Sequence, residues 1–280
     1  MSDARVASLH LYPIKGCRGI DLPAARVDVT GLASTGAGDR EWMLIGEDGR
    51  FLTQRELPRL ALVAVQLHGD RLRLTAPHMR PCDVPLGASG AARDVVVWRS
   101  EVRGIDQGDA AASWLSDWLA APARLVRFDR SVTRLCNRDY AGATGAHTLF
   151  ADGYPILVAS MASLSDLNER LAERRQPPLP MNRFRPNVVL SGLPAFAEDH
   201  VDAITVGGIA LKCVKPCTRC KVTTTDQATA RVGVEPLRTL GEFRMDPRFD
   251  GVTFGVNAVV TGGAAGTIEV GAEATVEYRF

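Results

Sequence analysis

Short runs of alternating or continuous apolar residues, cut every few positions by glycine-containing turn pairs, fill both halves of this chain and constrain its fold more than any other feature. Residues 61–76, ALVAVQLHGDRLRLTA, predict a hairpin about Gly69-Asp70, because Leu72 and Leu74 alternate with Arg71 and Arg73 on opposite faces. Residues 202–214, DAITVGGIALKCV, predict a second hairpin about Gly207-Gly208, since two consecutive glycines reach the positive φ of a tight turn without steric cost. Strands are also expected over 5–12, 41–46, 154–160, 187–192, 255–262 and 267–280, and around the Asp48-Gly49 turn.

Helical spacing is confined to a few places. Ala111, Trp114, Leu115, Trp118 and Leu119 recur on one face after Asp109, a candidate N-cap, and Pro122 follows as a stop. Leu164, Leu167 and Leu171 define a second amphipathic helix with Ser160, Ser163 and Asp166 as capping candidates, and a short helix is expected after Pro236. The chain therefore predicts a mainly β fold with some helices (α+β). Its length of 280 residues, 46% hydrophobic, suffices for one large or two ordinary domains. A Gly-, Asp- and Asn-rich stretch at 129–153 without apolar period separates two modules, divided as 1–125 and 126–280.

Charge excludes several functions. Thirty-three basic and 32 acidic residues give a formal charge of +1 with no like-charge block, so neither nucleic acid nor a membrane surface is an expected partner. The N-terminus carries no continuous apolar segment of a secretion signal, and no apolar run approaches spanning length, so a soluble cytoplasmic protein is expected.

Chemistry concentrates in CVKPCTRCKVTTTD, residues 213–226. Cys213, Cys217 and Cys220 have the spacing of the radical-SAM iron–sulfur motif, but Arg219 replaces the usual aromatic residue before the last cysteine, and too little chain follows for a (β/α) barrel. A structural zinc site lacks its second pair of ligands, because no histidine follows Cys220. Two alternatives remain: thiols that are merely small core residues, or a single thiolate that ligates a thiophilic metal carried by an organic cofactor. The cations Arg219 and Lys221 on either side of Cys220 favour an ionised sulfur there. Asp226, which ends the segment, has two readings, a proton donor or acceptor near the metal and a turn-forming carboxylate.

Six ordered motifs resemble the MOSC domain family, within it the amidoxime-reducing components: YPIKGCRG (12–19), DREWMLIGEDGRFLTQRELPRL (39–60), FADGYPILVASMASLSDLNERL (150–171), NRFRPNVVLSG (182–192), CTRCKVTTTD (217–226) and FGVN (254–257). The resemblance implies a β-barrel-like N-terminal module followed by a MOSC β-barrel, and a molybdenum cofactor (Mo-pyranopterin) with Cys220 as its protein thiolate. It also implies that Lys15, Arg40, Arg185 and Asn187 anchor the pterin phosphate, that Gly153 touches the cofactor, and that Thr218, Arg219 and Asn257 contribute to the same site. Where the family has Thr and Ser, this chain has Gly153 and Tyr154, so backbone N–H groups near Asp152 and Gly153 must replace hydroxyl contacts.

The implied activity is reduction of N-hydroxylated compounds, small amidoximes or hydroxylamino nucleobase analogues. No plant-type ferredoxin cysteine set follows residue 220, so no iron–sulfur cluster of its own is expected and electrons must arrive from an external donor, a ferredoxin or flavoprotein reductase. The alternative is a non-catalytic carrier of the molybdenum cofactor, or a sulfur-transfer protein with a persulfide on Cys220.

Overall fold

A computed structural model describes residues 4–279. Its largest sheet has nine strands, and along the main path the order is Ile20–Leu22, Arg5–Leu11, Val188–Ser191, Ile156–Ser160, Gly251–Gly262, Ile209–Thr218, Val201–Val206 and Ala274–Tyr278; Met245–Asp246 adds to Gly251–Gly262. All neighbours on the path are antiparallel except Ile156–Ser160 and Val188–Ser191. That one parallel pair needs a crossover, which the helix Met161–Glu173 begins. All five residues of Ile156–Ser160 are buried, as expected for a strand covered on both faces.

The Ser160 hydroxyl caps this helix by accepting from the Ala162 N–H at 3.2 Å. Leu164, Leu167 and Leu171 turn inward onto Phe184, Leu240 and Phe254. Gly255 has φ +73°, and a Cβ there would lie 2.6 Å from the Val158 carbonyl oxygen, so glycine lets Gly251–Gly262 press against its neighbour.

Both predicted hairpins form. Val206 pairs with Ile209 across Gly207 and Gly208, both at positive φ, and His68 pairs with Arg71 across Gly69-Asp70, with Leu72 and Leu74 fully buried. The helix expected after Asp109 spans Asp109–Leu119, but Asp109 is its first residue and Gly108 its cap, held by a bond from the Gly108 N–H to Asp106 at 2.8 Å. The protein is mainly β, with four α-helices among the described residues. Among the described residues no helix is long and apolar enough to cross a membrane.

Strand pairing runs across the expected division at 125. Arg124–Phe128 belongs to a four-stranded sheet with Ala92–Val97, Ser100–Asp106 and Trp42–Ile45, whereas Arg5–Leu11 joins the large sheet and Ala24–Asp28 pairs with Thr267–Glu269. One core fills the large sheet around Val6, Leu9, Val158, Leu190 and Leu211, and a second surrounds Trp42, Leu44, Leu72 and Leu115. The interleaving carries the segment after Arg5–Leu11 to the residues that precede Ile156–Ser160, where Lys15 meets Phe150 and Asp152, and this juxtaposition creates the site.

Candidate active site

A cleft of about 940 Å³, including its open mouth, gathers Lys15, Arg40, Gly153, Arg185, Asn187, Thr218, Arg219, Cys220 and Asn257. Of the residues singled out in the cysteine segment, Cys213, Lys221 and Asp226 are absent from its walls.

The cationic floor is built on Tyr12, whose ring is flanked by the guanidinium carbons of Arg40 and Arg185, each 4.3 Å from its centroid. Both arginines adopt the left-handed backbone, at φ +48° and +56°, a conformation that costs a bulky side chain energy and that the surrounding structure must enforce. Two bonds to backbone carbonyls help enforce it: the Arg40 N–H donates to the Tyr12 carbonyl at 2.7 Å, and the Arg40 side chain donates through Nη2 to the Arg185 carbonyl at 3.2 Å. Burial pushes the Tyr12 phenol up to about 12, against the two guanidiniums, so it stays neutral.

The three cations differ in how they are neutralised. Arg40 pairs with the buried Asp39 and donates to Asn187 Oδ1 at 3.1 Å. Lys15 is buried, pairs with Asp152 and donates to the Phe150 carbonyl at 2.9 Å; burial pushes its ammonium below its ordinary value, with Asp152 opposing. Arg185 has no carboxylate partner among the described residues. Its Nη1 donates to the Cys17 carbonyl at 2.7 Å, and its Nη2 is buried with nothing to bond. Burial lowers this guanidinium to about 10, and the neighbouring Arg40 adds to the effect, whereas Tyr12 and Cys17 oppose it. A buried, unsatisfied cationic donor facing a cleft is the arrangement an anion completes.

Asn187 is spent on the protein itself. Its Nδ2 donates to the His10 carbonyl at 3.2 Å and to Asp39 at 2.9 Å, and its Oδ1 accepts from the Leu157 N–H and from Arg40, both at 3.1 Å. The side chain therefore positions Arg40 and Asp39 with no amide capacity left over.

On the opposite side, Ile209–Thr218 brings Cys217 and Thr218 to the cleft, and Cys220 follows as the exposed cap of the short 3₁₀ helix Lys221–Thr224. Arg219 Nη1 donates to Cys217 Sγ at 2.9 Å and Nη2 to the Phe184 carbonyl at 2.7 Å, while Nε is buried without a partner. Cys213 is fully buried in the core of the large sheet, so the three cysteines do not converge. Asn257, paired in register with Leu157, holds the Lys215 carbonyl through Nδ2 at 3.2 Å. At Gly153 a Cβ would meet nothing within 4 Å, leaving open space beside its backbone.

Asp226 differs from the catalytic expectation. Its Oδ1 accepts from the N–H groups of Ala228 and Thr229 and from the Thr229 hydroxyl at 2.8–3.0 Å, and its Oδ2 from Arg183 Nη2 at 3.1 Å. Burial opposes its charge, but these donors outweigh it and hold the carboxyl below its ordinary range. It is a turn residue, and because Arg183 also donates to the Thr223 carbonyl at 3.3 Å, it braces the segment that carries Cys220.

Several cleft residues were not legible in the sequence: Phe51, Arg55 and Trp98. Arg134 was missed too; buried, it donates to the carbonyls of Leu149, Ala151 and Asp152 and fixes the loop that presents Asp152 and Gly153. No local period marks any of these residues.

Fold and cleft together define a mainly β protein that presents an exposed thiol opposite converging guanidiniums. The chain belongs to the MOSC domain family: residues 3–122 match the MOSC N-terminal beta barrel domain and residues 145–275 match the MOSC domain. It is 36% identical over 249 residues to mitochondrial amidoxime reducing component 2 of Bos taurus, an alignment covering 86% of this chain and 73% of the relative. Component 2 of Rattus norvegicus is 37% identical over 251 residues and component 1 of Homo sapiens 35% over 249, with the same coverage of both chains.

Proposed function

We propose that this chain is a molybdenum-cofactor-dependent reductase of N-hydroxylated compounds that takes its electrons from a separate partner protein. The observation that carries the proposal is the buried, unpartnered Nη2 of Arg185 in the same cleft as the exposed Cys220. A pyranopterin phosphate fits the first and a soft metal fits the second. The relatives named as amidoxime-reducing components support the substrate class.

Within this proposal Arg185 donates to the phosphate, with Arg40 and Lys15 adding positive potential, and Cys220 supplies the protein thiolate. The open space at Gly153 lets backbone approach the cofactor, and Arg219, held by Phe184 and Cys217, keeps the thiolate environment cationic. When bound, the cofactor supplies two-electron redox chemistry, which the protein orients and shields. The balanced reaction consumes two electrons and two protons, breaks the N–O bond and yields the N–H product and water.

The test is protein made in a host competent for molybdenum cofactor synthesis. Molybdenum near one atom per chain is expected, with reduction of an aromatic amidoxime driven by reduced viologen and not by NADPH alone. A stoichiometric load of iron or zinc without molybdenum overturns the proposal. Molybdenum-loaded protein that never turns over with viologen favours the carrier instead.

A further inference from the structure

We infer that Trp98, backed by Phe51 and Arg55 in the wall of the cleft, is a stacking platform that selects flat, conjugated N-hydroxylated substrates over aliphatic ones. This specificity rests on the reductase function proposed above. Trp98 and Arg99 form the two-residue turn between Ala92–Val97 and Ser100–Asp106, where Val97 pairs with Ser100. Trp98 takes φ +58° at the first turn position, a place where glycine costs nothing and a bulky aromatic is strained. The hairpin thus carries a side chain that its backbone disfavours, which directs attention to what the indole does.

The indole is aimed from three sides. Its Nε1–H donates to Asp152 Oδ1 at 2.8 Å, the carboxylate that pairs with Lys15 on the cleft floor. Phe51 lies 5.1 Å away, centroid to centroid, tilted at 58°, and the Arg55 guanidinium lies 4.6 Å from the indole ring. Trp98 nevertheless stays 43% exposed, and it lines the same cleft as Cys220. An oriented π-face with a cation behind it, left open toward a redox site, suits a conjugated amidine or a nucleobase: stacking is worth most where the ligand is flat and delocalised. An aliphatic amidoxime has too little π-surface to use it.

The experiment compares wild type, Trp98→Gly and Trp98→Phe in molybdenum-loaded protein with reduced viologen, using benzamidoxime and acetamidoxime. In Trp98→Gly the ratio of kcat/KM for the aromatic over the aliphatic compound is expected to fall ten- to hundred-fold, and Trp98→Phe is expected to recover part of it. Calorimetric titration with benzamidine, the aromatic product, reads the same contact without turnover and is expected to weaken by a similar factor. An unchanged ratio, or unchanged benzamidine affinity in Trp98→Gly, overturns the platform. Loss of pterin from Trp98→Gly also overturns it, because the indole then belongs to the cofactor's own wall. Protein that reduces neither amidoxime yet loses benzamidine affinity in Trp98→Gly refutes the reductase function and supports the platform.

Discussion

Replacing Arg185 with Met separates what a buried guanidinium costs the empty protein from what it gives the loaded one. Burial lowers Arg185 from an ordinary 12.5 to about 10, which corresponds to about 3 kcal/mol of penalty on its charge at neutral pH. Against that stand one bond to the Cys17 carbonyl, worth about 1.5–3 kcal/mol for a charged donor, and the contact with Tyr12, worth about 1–2 kcal/mol. These contributions nearly cancel, so the cofactor-free variant should unfold at the wild-type temperature or slightly above it, as when well-packed apolar residues replace a buried charge.

The loaded protein should behave differently. A direct charge-assisted contact between Arg185 and a phosphate is worth about 1.5–3 kcal/mol, so cofactor affinity should fall roughly ten- to hundred-fold in Arg185→Met. The gain in melting temperature on loading should then shrink by roughly 3–5 °C, and pterin should be lost during gel filtration. Pterin content after that step and paired melting curves of loaded and empty protein measure both effects. Wild-type retention in the variant would show that the unpartnered Nη2 does not face the phosphate. A large destabilisation of the empty variant would show that Arg185 serves the fold first.

Three further outcomes are expected. Cys220→Ala should abolish amidoxime reduction, whereas Cys213→Ala, which trims a fully buried core side chain, should cost about 1 kcal/mol of stability and keep activity; viologen-driven rates and urea titrations distinguish them. Burial raises Glu198 from an ordinary 4.5 to about 7 although the Ser163 hydroxyl bonds to it, so its contribution to stability is fully present below pH 4.5 and is lost as pH rises through about 7. Urea unfolding should therefore lose up to about 3 kcal/mol across that window relative to Glu198→Gln, and parallel pH slopes for the two proteins would refute the assignment. Asp226→Asn should lower stability by about 1–3 kcal/mol by weakening its bond to the buried Arg183 while leaving the pH profile of kcat in place; a displaced acid limb would return Asp226 to the chemistry.

The hairpins and helices were legible because their determinants are local. Two consecutive glycines at 207–208 fix a turn, and a leucine face at 164, 167 and 171 fixes a helix, without information from the rest of the chain. The cleft was not legible in this way. Lys15 and Asp152 pair across most of the N-terminal half, and what marks Trp98 is its turn and its bond to Asp152, neither of which has a local sequence signal. Arg40 and Arg185 lie 145 residues apart in the chain, and only the ring of Tyr12 between them makes them one unit. The resemblance to a family singled out the arginines, but it could not say which guanidinium would be left without a partner.

Asn187 illustrates why a residue can belong to a site without touching its ligand. The resemblance groups it with the phosphate anchors, yet all four hydrogen-bonding positions of its amide are filled by His10, Asp39, Leu157 and Arg40. Its backbone is engaged as well: the His10 N–H donates to its carbonyl, and its N–H donates to the Leu157 carbonyl. The residue thus ties Arg5–Leu11, the Asp39-Arg40 corner and Ile156–Ser160 at the point where strand pairing joins the two halves of the chain. Arg40 is held at positive φ and Arg185 lies two residues before Asn187, so the separation of the two guanidiniums across Tyr12 follows from this joint. A buried amide that saturates itself on the scaffold and on Arg40 leaves Arg185, of the two guanidiniums that flank Tyr12, as the one with a buried unsatisfied donor, and that asymmetry directs an incoming anion to Arg185.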